Sequence, residues 1–87
     1  TGIIITNVSS INLIVLAKHT VGVLMEVVLG GNGEVQLEDG DGEILGAILH
    51  ANTPDLIKCI ADGADYEAQI LNINTPVCRV KIIRKQL

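Results

Sequence analysis

The sequence holds no Trp, no Phe and a single Tyr in 87 residues. A row of aromatic platforms on which successive bases stack is therefore excluded, since Tyr66 alone cannot form one. Two cysteines, Cys59 and Cys78, allow one bridge at most. Each stands in an apolar stretch, which favours two buried free thiols and a reducing, cytoplasmic setting. No apolar run is long enough to span a bilayer as a helix; residues 3–5 and 13–17 are strand-sized. The N-terminus lacks the positive n-region of a signal peptide, and a start at Thr1 suggests a processed or trimmed chain.

What is present is aliphatic. Apolar residues make up 48% of the chain, and branched ones dominate, which favours strands. At this length the chain is one small domain, whose core must be built efficiently. The formal charge is −4. All ten acids lie between Glu26 and Glu67, while the last nine residues carry Arg79, Lys81, Arg84 and Lys85 and no acid. A general nucleic-acid binder is usually basic as a whole. An anionic partner here must instead meet a local basic strip.

Residues 1–6 read as a strand, and 7–10 as a turn, because Asn and Ser side chains mimic a turned backbone. Residues 11–17 form a second apolar run, read as a strand with a short helix as the alternative. Over 21–29 the alternation puts Val23, Met25, Val27 and Leu29 on one face. Gly30, Gly31, Asn32 and Gly33 then supply a tight hairpin. Val35 and Leu37 point inward from the next strand, residues 39–42 turn again, and 43–49 complete a meander. Gly46 inside this last strand implies a bulge or a close backbone approach.

A helix follows over about 54–62. Thr53 suits its N-cap, Pro54 its first position and Asp55 its positive end, and Gly63 stops it. Alternation resumes at Tyr66, with Ala68 and Ile70 on the same face. After a turn at 74–76, Cys78, Val80 and Ile82 point inward and Arg79 and Lys81 outward. The expected fold class is α+β, mostly β: a small SH3- or OB-like barrel or rolled sheet of six or seven short strands with one helix.

Four constellations invite chemistry. Asp39, Asp41 and Glu43 resemble the start of a calcium loop, but the twelfth position from Asp39 is His50 and not a bidentate Glu, so a hairpin turn fits better. The glycines at 30–33 precede a strand and lack a Lys, unlike a phosphate loop. His50, Asn52 and Thr53 stand at a helix N-terminus, where free N–H groups hold an anion; ordinary capping is the alternative. Arg79 and Lys81 share one face of a strand and could follow a phosphate backbone, or simply form a solvated, charged face. His19 reads as a solvated loop histidine. No nucleophile–base pair or metal-ligand cluster stands out, so no enzyme, cofactor or metal is expected.

Residues 21–85 resemble the HIRAN domain. The resemblance rests on Val21-Gly22-Val23-Leu24-Met25-Glu26, a Gly- and Asn32-containing turn, and Glu34-Val35-Gln36-Leu37. It continues through Asp41-Gly42-Glu43-Ile44-Leu45-Gly46, the helix, and Asp62-Gly63-Ala64-Asp65-Tyr66-Glu67-Ala68-Gln69-Ile70. It implies a small barrel with an inserted helix and, as in some members, binding of single-stranded DNA ends. By position, His50 would take the basic place after the strand containing Gly46, and Asn32 the polar loop. The family's Asn-Pro loop is shortened here to 30–33, and its aromatic or His after the glycine is Ala47.

Two functions are thus expected. One is a non-catalytic HIRAN-like module that binds single-stranded nucleic acid through His50, Asn52, Thr53, Arg79 and Lys81. The other is a small protein–protein or oligomerisation module, suggested by the net negative charge and the aliphatic excess. Neither involves a membrane.

Overall fold

The structure is a computed structural model that describes residues 3–31, 33–50 and 53–85. Its elements are β1 (Ile3–Ser9), α1 (Leu13–Leu16), β2 (Leu24–Leu29), β3 (Val35–Glu38), β4 (Ile44–Ile48), α2 (Thr53–Ala61), β5 (Tyr66–Asn74) and β6 (Val77–Arg84). The strands form a closed antiparallel barrel in the order β1-β4-β3-β2-β5-β6. The expected small, mostly-β barrel is therefore the fold, with six strands and two short helices instead of one. No helix among the described residues is long and apolar enough to cross a membrane.

Alternation sets the inner face. Met25, Val27, Val35, Leu37, Ile48, Ala68, Ile70, Cys78, Val80 and Ile82 are buried in one core. Tyr66 joins them at 9% exposure. Cys59 and Cys78 are free thiols. Burial raises the Cys78 pKa above the ordinary thiol value.

Apart from the strand read over 21–29, which begins only at Leu24 after a turn at 21–22, two segments differ from the expectation. β1 runs on through Asn7, Val8 and Ser9, and the turn comes at Ser10 with φ 53°. Asn7 and Ser9 continue the alternation as outward positions while Val8 enters the core. Polar residues that propensity assigns to a turn are acceptable on the wet side of a strand. The second segment is α1. The Asn12 side chain accepts from the Ile14 and Val15 amides at 3.0 and 3.3 Å, the mark of an N-cap. Val15 and Leu16 are then carried into the core. Tertiary burial outweighs the strand preference of this aliphatic run. Leu29, expected inward, is 37% exposed because it ends β2.

Gly46 shows both features its position implied. The β3–β4 register shifts between Leu37 and Glu38, a bulge that buries Leu45 beside Gly46. A Cβ at Gly46 would lie 2.5 Å from Val8 Cγ1 and 2.7 Å from the Ser9 carbonyl oxygen. Only glycine lets β1 and β4 approach this closely. Helix α2 ends as expected at Gly63 (φ 103°). The Gly63 amide donates to Ile60 and that of Ala64 to Cys59, both at 3.0 Å, which is a Schellman closure.

Candidate nucleic-acid interface

Strand β6 alternates Cys78, Val80 and Ile82 inward with Arg79, Lys81 and Ile83 outward. Its neighbours fix what surrounds the two cations. Arg79 pairs with Asn7 on β1 and Asn72 on β5. Lys81 pairs with Ile5 on β1 and Gln69 on β5, and Gln69 pairs with Leu24 on β2. Facing residues on one side of a sheet have Cβ atoms about 5 Å apart. Arg79 and Lys81 thus sit in two rows of amides and aliphatics that contain no acid. Among the described residues neither cation has an ion-pair partner within 4.0 Å.

The third row is different. Ile3 pairs with Ile83, Ile83 with Glu67, Glu67 with Glu26, and Glu26 with Glu38. Three carboxylates stand side by side, and Lys85 hydrogen-bonds Glu26 across them. That bond raises the Lys85 pKa above the ordinary lysine value.

His50 and Thr53 lie on the other side of β1. The β1–β4 seam is only two pairs long, Val8 with Ile48 and Ser9 with Ala47. Among the described residues no strand flanks residues 3–7 on that side. Because Val8 adjoins Asn7, the end of β4 is about two strand spacings, ~10 Å, from Arg79. His50 is exposed and follows Ile48 by two residues. Its amide donates to Thr53 Oγ1 at 2.8 Å, and the Thr53 amide donates to the His50 carbonyl at 2.9 Å. The Thr53 hydroxyl therefore closes the turn backward, where capping of the helix amides was expected. Asp55 occupies the first turn of α2. Asn32 and Asn52 lie outside the described residues. The structure thus groups Arg79 with Lys81 and His50 with Thr53, with β1 between the pairs.

Sequence reasoning missed a second polar cluster. His19 Nε2 lies 3.0 Å from Asp39 Oδ2, with side chains 15% and 1% exposed. Asp39 Oδ1 accepts from the amides of Asp41 and Glu43, both at 2.9 Å. Lys18 donates to Glu43 at 2.5 Å. The Glu43 amide first, and His19 second, hold the Asp39 pKa below the ordinary carboxylate range. Oxygens of Asp39, Asp41 and Glu43 do converge within 4.8 Å, but both Asp39 oxygens serve the turn and His19. The hairpin reading of 39–42 accounts for the whole arrangement. His19 and Asp39 are twenty residues apart, and only the closed barrel reveals their contact.

A cavity of about 330 Å³ opens at the C-terminal end of α2, lined by Cys59, Asp62, Gly63, Ala64 and Arg84. The Tyr66 hydroxyl meets Cys59 beside it. Burial first, and the bond to Cys59 second, raise the Tyr66 pKa above its usual value. Tyr66 is thus part of the core and unavailable for stacking.

These features define a class: a six-stranded antiparallel barrel with a bare, locally basic outer face. Comparison of the chain with protein-family models, curated proteins and solved structures finds no match.

Proposed function

We propose that the chain is a non-catalytic, HIRAN-like module that binds single-stranded nucleic acid ends. Arg79 and Lys81 hold phosphates, and the turn at His50 and Thr53 receives the strand end, with Asn52 beside it in sequence. The observation that carries this reading is the acid-free pair of rows around Arg79 and Lys81. Asn7, Asn72 and Gln69 supply hydrogen bonds there, and Ile5 and Leu24 supply apolar contact where a stacking protein would use aromatics. Binding of this kind is mainly electrostatic and tolerant of sequence. A reducing, cytoplasmic setting suits the two free thiols.

The test is a fluorescence titration of a short 3′-ended single-stranded DNA at low and moderate salt. Wild type binds in a salt-dependent manner. Replacing both Arg79 and Lys81 by Ala weakens binding at every sequence and lowers the slope of log K against log salt by about 1.4, two phosphate contacts at ~0.7 each. Absence of binding at low salt rejects the reading.

A second reading, a protein-interaction or oligomerisation module without nucleic-acid binding, is favoured by Ile3, Ile5 and Leu24. They are 61%, 46% and 53% exposed on this same outer surface.

A further inference from the structure

The cavity of about 330 Å³ at the C-terminal end of α2 opens at one end of the barrel, and the strand register explains its chemistry. Cys78, Val80 and Ile82 point inward from β6, and Arg84 is the next residue on that side. It pairs with Tyr66, the first residue of β5, so the two side chains start about 5 Å apart on the inner side of the sheet. Tyr66 is buried, whereas Arg84 lies beyond the last core layer and is exposed. A guanidinium thus stands where the period of two would otherwise continue the aliphatic core.

The facing wall comes from α2. The amides of Gly63 and Ala64 donate back to Ile60 and Cys59, and this closure sets Asp62 in the lining. Cys59 and Ala64 are half-buried, and the Tyr66 hydroxyl meets the Cys59 thiol. Among the described residues neither Asp62 nor Arg84 has an ion-pair partner within 4.0 Å. They do not pair with each other, and Lys58, one turn before Asp62, does not pair with it either. The cavity is therefore lined by one carboxylate and one guanidinium that are both unengaged. The negative end of the α2 dipole adds to the preference of Asp62 for a cation.

We propose that this cavity binds a small zwitterion of the α-amino acid class. The ligand carboxylate takes the planar fork of Arg84, its ammonium takes Asp62, and an aliphatic side chain lies against Cys59 and Ala64. One carbon holds the two charges of such a ligand close together, so it bridges two protein charges that do not reach each other. A plain anion is repelled by Asp62 and a plain cation by Arg84, which selects the zwitterion over either half. The volume is at the small end for ligand sites, and barrel mouths are one of the places where such sites occur. Both protein charges are exposed, so binding is weak, in the millimolar range. Arg84 is on the inner register of β6 and Arg79 and Lys81 on the outer one, which makes this site separate from the nucleic-acid face proposed above.

The experiment is a heteronuclear NMR titration of the full chain with L-leucine, followed at the amides of Gly63, Ala64 and Arg84. It is repeated with isocaproate, which lacks the ammonium, and with isoamylamine, which lacks the carboxylate. Leucine gives saturable shifts at this end of the barrel, and each half-ligand binds roughly threefold or more weakly. Asp62→Asn and Arg84→Gln, both at exposed positions, each weaken leucine binding by a similar factor, and their otherwise unchanged spectra show that they fold. Arg79→Ala together with Lys81→Ala leaves leucine binding as in wild type. Cys59 supplies a second readout: saturating leucine slows its alkylation by iodoacetamide, while the fully buried Cys78 stays unreacted with or without ligand. Shifts that never saturate, a half-ligand that binds as well as leucine, or single variants with wild-type affinity overturn the inference.

Discussion

The strap formed by α1 and its flanking residues and the outer face of β6 both carry charged groups, and they use them in opposite ways. From Ser9 onward the strap lies along β4. Ser9 and Ile11 press on Gly46, the Asn12 amide donates to the Leu45 carbonyl at 2.7 Å, Lys18 reaches Glu43 and His19 reaches Asp39. The side chains of Asn12, Lys18 and His19 all have partners, and Val15 and Leu16 are buried while Leu13 and Ile14 stay exposed. On β6, Arg79 faces outward between Asn7 and Asn72 and Lys81 between Ile5 and Gln69, without ion pairs among the described residues. Satisfied charge fixes a fold; unsatisfied charge on a bare face is available for a ligand. The buried carboxylate of Asp39 therefore belongs to the architecture, whereas Arg79 and Lys81 make no ion pair among the described residues.

The sharpest way to break the strap is Gly46→Val. Its Cβ would meet backbone at the Ser9 carbonyl as well as the Val8 side chain. Overpacking against backbone cannot relax by a rotamer change, so the variant loses about 3 kcal/mol or fails to fold. Thermal melts followed by circular dichroism decide it. Gly40→Ala is the control, since a Cβ there meets nothing within 4 Å. Equal losses in the two variants would show that the close approach is not what holds β1 to β4.

Removing the carboxylate comes next. Asp39→Ala strands two amides and His19 at a site that is nearly closed to water, and lowers Tm by roughly 10 °C. Asp39→Asn keeps an acceptor for the two amides and loses about half as much. Neither substitution changes DNA affinity once the folded fraction is allowed for.

The same carboxylate sets a pH dependence. Its folded pKa is below its unfolded one, so its stabilisation is complete above the unfolded value of about 4. It is lost as pH falls from there through the folded pKa. The urea midpoint of wild type therefore drops on acidification below about pH 4 more steeply than that of Asp39→Asn. Parallel curves for the two proteins would mean that Asp39 is not held in its charged form by the Glu43 amide and His19.

The three-stranded meander was legible because its alternation is clean and its turns are marked by glycine: Val35 and Leu37 face inward, and 39–42 turn, as periodicity requires. The N-terminal third was less so. Asn7 and Ser9 read locally as turn formers, and only pairing with β6 and β4 makes them strand residues. Asn12 carried a cap signal, but the Ile and Val that follow argued for a strand until the core claimed Val15 and Leu16. The outward placement of Arg79 and Lys81 followed from a period of two. Their neighbours Asn7 and Asn72 did not, since the first pairing is non-local and the second depends on a register shift between Ile70 and Asn72. His19 was read as a solvated loop residue, because nothing within a few positions of it announces Asp39.

The smallest effect on stability is expected where the effect on binding is largest. Arg79→Ala together with Lys81→Ala removes two outward side chains that make no ion pair among the described residues. Such surface changes shift stability by no more than about 0.5 kcal/mol. Charge on β6 also has a protective use, since cations deter strand-to-strand association, but a paired central strand has no free edge to protect. The double variant should therefore melt with wild type while its DNA titration collapses. A clear fall in Tm would instead assign the two cations to the fold, alongside Asp39, and the contrast between strap and face would disappear.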